Sequence, residues 1–521
     1  MSSKLLSRVQ CKQLRSKIIE PSGLLPSFQG HQAIGWSGFT GVDYPLQSLE
    51  PLIHEVRSNS SYAKPVFDLR VCSSGGTATE STLAELGMVS SRSPYQVSKA
   101  INKGINNKRI QFHDHSLIDF AEQLTSGHLG AKNGKPQSLS IAIVEATEIT
   151  EEGELVPGAS VGVTPELIQV AEKVIVEINT NSPSLRGIHD LYVPALPPSR
   201  SPLNLCTSSD RIGKSTIPLD PKKVIGIVEG FHGNFPNRTE SGTSITKAIS
   251  QHIIEFFKHE ARRGRLPDNL HPIQSGIGAI ANSVVEGLGN SSFRNLQVWT
   301  EVLQDSFLRL LESGTVQYAS SMSLRFSPQE LENFYKHWEF YKNHIILRPQ
   351  AITNSPEIIR RLGCISLNTP VEVDLYGHVN STCVMGSRML NGIGGSGDFM
   401  RNAKLSIMHT PSVRPSKIDP VGISTIVPKV THVDHTEHDI DIVVTEQGLA
   451  DLRGLSPRER GREIIEKCAH PVYRPILMNY FTLAESACLK AKMGHEPILL
   501  DKAFKMHTSF LERGSMKISS W

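Results

Sequence analysis

Leu296-Gln-Val-Trp-Thr-Glu-Val-Leu-Gln-Asp-Ser306 is the stretch from which the fold is read. Leu296 to Trp299 is an apolar run interrupted by one polar residue, Gln297, as expected of a strand of period two. Glu301 stands just past its end. Upstream, Ser275-Gly-Ile-Gly-Ala-Ile-Ala-Asn-Ser-Val-Val-Glu-Gly-Leu288 is a glycine loop running into an apolar helix. Loop, helix and strand make one α/β step. A carboxylate at a strand end beside backbone N–H groups is a candidate nucleophile facing an oxyanion site. A surface glutamate after a strand has the same local sequence, so these residues alone leave both readings open.

The rest of the chain repeats the step. Strands are expected at 33–36, 66–71, 140–145, 173–178, 224–228, 371–375 and 439–444, and helices at 165–171, 243–262, 282–288 and 356–362. This alternation predicts an α/β architecture with largely parallel sheets. Ile143-Val-Glu145, Ile175-Val-Glu177 and Ile227-Val-Glu229 are unevenly spaced, which excludes a short solenoid but leaves open equivalent strands in two related halves. At 521 residues the chain exceeds one ordinary core. The proline-rich stretch 196–222 suggests the division, giving expected domains 1–217 and 218–521.

Composition excludes several classes. Lys+Arg of 54 against Asp+Glu of 51 gives a net charge of +3, so nothing global favours nucleic acid or an anionic membrane. No apolar run approaches a membrane span. Seven scattered cysteines without a Cys-x-x-Cys pair predict reduced thiols. Residues 1–19 carry Lys4, Arg8, Lys12, Arg15 and Lys17 with no acid, in the manner of a mitochondrial presequence. Leu5, Leu6, Val9, Leu14, Ile18 and Ile19 equally form the packed face of a first helix.

Gly276-Ile-Gly-Ala-Ile-Ala281 fits a dinucleotide fingerprint, with Glu301 placed as the ribose-binding acid, so a nicotinamide dehydrogenase is a rival. The prolines at 267 and 272 argue against the strand that this fingerprint needs before its first glycine. A second loop, Gly392-Ile-Gly-Gly-Ser-Gly-Asp-Phe399, has the makings of an anion nest, with Arg388, Arg401, Arg414 and Lys417 nearby. His432, His435 and His438 lie among acids, a pattern shared by metal sites and polar loops. Glu446 repeats the situation of Glu301, a carboxylate where a strand ends. Ser355-Pro-Glu357 and Ser456-Pro-Arg-Glu459 read as helix starts, and the first leaves Asn354 at a loop-to-helix junction, where a polar side chain can face a cleft. No Gly-x-Ser-x-Gly and no Walker loop is present.

Longer segments are more specific. Trp36–Gly41, Ser184–Asp190, Gln274–Ala281, Val298–Asp305, Glu372–Ser381, Ser387–Ala403 and Thr445–Cys468 resemble the acetyl-CoA hydrolase/transferase family of class I CoA-transferases, its fungal members above all. The resemblance runs from about residue 20 to the C-terminus. It implies two CoA-transferase-like α/β domains with an active-site cleft between them and Glu301 as nucleophile, passing through a glutamyl-CoA thioester. It implies oxyanion donors at the N–H groups of Ile277 and Gly395, with Asn354 and Glu446 around the small carboxylate. Gly276, Ile277, Gly278, Ala279, Ile280, Gly395 and Phe399 would contact coenzyme A, Phe399 against the pantetheine arm.

The implied reactants are acetyl-CoA, succinyl-CoA, acetate and succinate. The expectation is an enzyme with no permanently bound cofactor and no need of a metal, a homodimer in cytoplasm or mitochondrion. The alternatives are the dehydrogenase and an acyl-CoA-binding sensor without turnover. Val42-Asp43-Tyr44, Ser73–Gly76 and residues 230–241 depart from the family's usual forms, so Arg238 receives no role.

Overall fold

A computed structural model describes residues 2–73, 77–129, 139–231, 233 and 242–521. Arg238 and residues 74–76 lie outside the described residues. The chain divides into two compact units. The first comprises Met1–Arg238, Val298–Leu311 and Gln317–Leu362; the second comprises Thr239–Gln297, Glu312–Val316 and Gly363–Trp521. The architecture is α/β with mostly parallel sheets.

The first unit holds a seven-stranded sheet. In spatial order its strands are Val224–Gly230, Ala171–Asn179, Leu139–Ala146, His31–Trp36, Val66–Val71, Val89–Ser93 and Gln111–Phe112, and every pairing is parallel. Parallel strands covered on both faces read as continuous apolar runs, and Ile141, Ile143, Ile175 and Val228 are among those buried in its core. The three Ile-Val-Glu runs are neighbours in this one sheet, Glu145 opposite Glu177 and Val228 opposite Glu177. They do not mark two related halves.

The proline-rich stretch 196–222 lies within this unit. Arg361 donates to the carbonyl of Leu203, and Leu191 and Lys214 exchange backbone hydrogen bonds of 2.7 and 3.0 Å. The N-terminal residues are also part of it. Leu5, Val9, Leu14 and Ile18 are buried, Leu6 is not, and Ile19 N donates to Ile227 O at 2.9 Å.

In the second unit, Ile273–Ser275, Ile365–Asn368, Leu405–His409 and Ile442–Thr445 lie side by side in parallel, closed by antiparallel Gly448–Asp451. The first strand corrects the sequence expectation, since a strand does precede Gly276. Pro272 has no N–H to give, but its carbonyl accepts from Ile365 N at 2.9 Å, so proline is tolerated where only an acceptor is needed. The expected helix 243–262 is Ser244–Arg262, opened by a Thr243–Thr246 capping box. Ser456 and Glu459 make the second box. A separate core gathers Val373, Tyr376, Ile464, Tyr473, Leu477 and Phe481. No helix among the described residues is long and apolar enough to cross a membrane.

Candidate active site

The strand Leu296–Trp299 delivers Glu301, itself a residue of the first unit, with its backbone fixed. Thr300 N donates to Ser320 O at 3.0 Å. The Glu301 carbonyl accepts from Met322 N and Ser323 N, both at 3.1 Å, and from Ser321 Oγ at 2.9 Å. Three donors on one carbonyl leave the peptide little freedom. The side chain is only partly covered. Its Oε1 accepts from Asn354 Nδ2 at 3.1 Å, so the structure brings together two predicted residues 53 positions apart.

Asn354 is fully buried. It ends the one-turn helix Gln350–Thr353, and the helix Pro356–Leu362 follows. The short helix is tied down by Gln350, whose N donates to Gly162 O at 2.8 Å and whose Nε2 donates to Leu117 O. An amide N–H aimed at a carboxylate holds it in place without neutralising it.

The other predicted residues belong to the second unit, where polar groups collect at the C-terminal ends of the parallel strands. Ligands of open α/β sheets bind there. After Ser275 the chain turns through Gly276, Ile277 and Gly278 into the helix Ala279–Gly289. Gly278 has φ 122° and ψ 178°, a conformation essentially restricted to glycine. Ile277 is exposed and Ile280 is buried. The exposed loop thus stands at a helix N-terminus, where anions are favoured.

Beneath it lies a buried network that the sequence reading missed. Gln274 Oε1 accepts from Ser366 Oγ at 2.8 Å, Asn368 Nδ2 at 2.9 Å and Leu367 N at 3.2 Å. Gln, Ser and Asn at apolar strand ends were its only signal.

The second loop leads into Ser396–Asn402, with Gly395 at the N-cap. Phe399 is fully buried in that helix, so its ring does not reach a ligand in this conformation. Ser396 Oγ lies 3.3 Å from His435 Nε2. Burial pushes the His435 imidazole down to about 4, leaving it neutral.

The histidine run does not converge. His432 pairs with Asp434 at 3.3 Å and His438 is largely exposed. Of that run only Glu437 joins a potential cation cluster, with His378 and Glu496. The Lys429 ammonium already sits 3.1 Å from Glu496 and 3.3 Å from Asp374, so a cationic group already occupies this cluster.

Glu446 and Gln447 form the two-residue turn between paired Thr445 and Gly448. The Glu446 carboxylate accepts from Ser412 N at 2.8 Å, from Ser412 Oγ and from Gln447 Nε2 at 3.0 Å. Burial opposes its ionisation, but these hydrogen bonds outweigh burial and hold the carboxyl below its usual range. Ser412 was not anticipated.

Sequence profiles of two domains match the chain, "Acetyl-CoA hydrolase/transferase N-terminal domain" over residues 2–229 and "Acetyl-CoA hydrolase/transferase C-terminal domain" over 331–481. An acetyl-CoA hydrolase of Schizosaccharomyces pombe is 55% identical, each chain covered fully. That of Neurospora crassa is 53% identical, covering 99% of this chain and 98% of its own. That of Saccharomyces cerevisiae is 51% identical, covering 100% and 99%. Among solved structures, RipA of Yersinia pestis superposes with a TM-score of 0.69 at 21% identity, over 92% of this chain and 99% of its own. A 4-hydroxybutyrate CoA-transferase of Porphyromonas gingivalis does so with a TM-score of 0.60 at 19% identity, over 89% and 97%. At such identities these two speak to the fold alone.

Proposed function

The chain belongs to the acetyl-CoA hydrolase/transferase family, and from that premise we propose that it is an enzyme cleaving acetyl-CoA through a covalent intermediate on Glu301. The observation that carries the reading is the Glu301 carboxylate at a strand end, its backbone clamped and its Oε1 3.1 Å from Asn354 Nδ2.

The Glu301 carboxylate attacks the thioester carbonyl and displaces CoA thiolate, giving a mixed acyl–glutamyl anhydride. The thiolate returns to the glutamyl carbonyl, releases acetate and leaves a glutamyl-CoA thioester. Water then hydrolyses that thioester, or a second carboxylate takes up the CoA. A carboxylate is ordinarily ionised at neutral pH, so the attack needs no base and the catalytic burden falls on the oxyanions. The N–H groups of Ile277 and Gly395 serve as oxyanion donors, Gly276 to Ile280 receive coenzyme A at the helix start, and Glu446 orients the small carboxylate.

Succinyl-CoA is the second donor and succinate its product, in a homodimer of cytoplasm or mitochondrion.

Acyl-CoA loss is measured for wild type and Glu301→Gln, with and without added acetate. Retained cleavage in Glu301→Gln refutes the mechanism. Acceleration of succinyl-CoA consumption by acetate identifies transfer; indifference to acetate identifies hydrolysis. Borohydride reduction during turnover is expected to leave a mass change on the peptide bearing Glu301. With a strand now seen before Gly276, the dehydrogenase is best tested directly: calorimetric binding of NADH without binding of CoA overturns the proposal.

A further inference from the structure

Two buried residues behind the candidate nucleophile are arranged about one indole ring. Trp299, two positions before Glu301, is fully buried. Its Nε1 donates to Thr353 O at 2.8 Å, at the C-terminal end of the helix Gln350–Thr353 and next to Asn354. On the N-terminal side of that helix, the Arg348 guanidinium lies 5.2 Å from the same ring's centroid. The indole therefore grips both ends of the helical turn whose last junction carries Asn354.

Arg348 is itself held on every side. It is fully buried, its Nε donates to Ser320 Oγ at 2.7 Å and its backbone N donates to Ser321 O at 2.8 Å. Nη1 pairs with Asp190, and Nη2 donates to the carbonyls of Ser208 and Asp210. Asp190 in turn accepts from Ile212 N at 3.0 Å and Gly213 N at 2.7 Å. Ser320 and Ser321 are the residues that also fix Thr300 and the Glu301 carbonyl. One guanidinium, two residues before the helix that Asn354 ends, thus joins Trp299 of the strand leading to Glu301 to the segment that clamps the Glu301 backbone. A planar, five-donor group does this where an ammonium has no matching geometry.

We propose that Arg348 and Trp299 are positioning residues for the Glu301 carboxylate, acting through Thr353 and Asn354. This rests on Glu301 being the nucleophile. Neither group touches the reacting atoms. They fix where the Asn354 amide stands, and so the direction from which the carboxylate attacks.

The test uses Trp299→Phe, which keeps an aromatic ring but loses the N–H, with Asn354→Leu and the double variant. Trp299→Phe is expected to lower kcat about tenfold, equivalent to ~1.4 kcal/mol of barrier, with KM for acetyl-CoA within about twofold and Tm nearly unchanged. Because Trp299 acts through Asn354, the double variant is expected to be no slower than Asn354→Leu alone. Arg348→Lys, which retains a charge beside Asp190, is expected to show the same fall in kcat.

A wild-type kcat in folded Trp299→Phe, or losses that multiply in the double variant, overturns the inference. So does a fall confined to Tm and the active fraction, with kcat per trapped Glu301 unaltered. Glu301→Gln separates the two levels. If that variant is active, the mechanism itself fails; if it is inert while Trp299→Phe is normal, only the positioning role fails.

Discussion

Asn354→Leu removes the amide that faces Glu301 while nearly conserving volume, and its consequence can be worked from one contact. The 3.1 Å hydrogen bond from Nδ2 ends on a carboxylate oxygen. Hydrogen bonds to charged groups contribute about 1.5–3 kcal/mol. In the proposed reaction this carboxylate attacks the thioester and the amide orients it, so the loss falls on the barrier. At about 1.4 kcal/mol per factor of ten, it lowers kcat/KM for acetyl-CoA roughly ten- to hundredfold.

Leucine is the sharper choice over alanine. Asn354 is fully buried, and the void left by alanine is bordered by polar groups that would admit a substitute water. The assay is kcat/KM for acetyl-CoA cleavage, with a thermal melt to confirm folding. An unaltered kcat/KM in folded Asn354→Leu would show that the Glu301–Asn354 contact does not serve catalysis.

Gly278→Ala meets open space, since no atom lies within 4 Å of the added Cβ, so its effect is confined to the backbone at φ +122°. Strain of about 1–3 kcal/mol is expected to distort the loop and raise KM for acetyl-CoA, and an unchanged KM would detach this loop from CoA binding. Glu372 is a stability element: burial raises its pKa, but the hydrogen bonds from His507 at 2.8 Å, Thr431 and Asn380 outweigh burial and depress it. Its contribution is therefore present above the unfolded carboxylate pKa and lost as pH falls through the folded one. Glu372→Gln should flatten acid denaturation followed by circular dichroism, and an unchanged acid midpoint speaks against this account. Deleting residues 2–19 uncovers the contacts of Leu5, Val9, Leu14 and Ile18; at about 1.5–3 kcal/mol per buried side chain as an upper bound, it should lower Tm markedly. An unaltered Tm would show the segment to be dispensable.

What was legible in the sequence was local. Ser456 signalled a helix start because its capping box with Glu459 closes within four residues. Ile143-Val-Glu145 and its two counterparts declared strands through apolar runs. Their adjacency was not legible, because register between strands is fixed by pairing across long separations. The strand Ile273–Ser275 was missed because three residues after a proline carry almost no pattern of their own; their partner Ile365–Leu367 makes them a strand. Glu301 entered as a strand-end carboxylate and Asn354 as the residue before a helix start; the family resemblance supplied their roles, and no spacing rule would have placed them in contact. The Gln274 network and Ser412 were invisible for the same reason: buried polar residues declare themselves only through the groups they satisfy.

Carboxylates at strand ends are common in this chain, and the structure shows how a strut differs from a candidate nucleophile. Glu177 is fully buried, and its carboxylate accepts from Leu46 N, Gln47 N, Ser48 N and Ser48 Oγ. Those four bonds fasten the segment after Trp36-Ser-Gly-Phe-Thr-Gly41 to the sheet, and a carboxylate so engaged has neither exposure nor spare acceptor capacity for attack. Glu145 accepts from Asn179 Nδ2 at 2.9 Å within the same buried layer. At Glu301 the roles of backbone and side chain are exchanged. Its main-chain carbonyl takes the three structural donors, and its partly uncovered carboxylate meets the side-chain amide of Asn354. That division of labour, more than the strand-end position it shares with Glu177, supports the proposal that the reaction runs on Glu301.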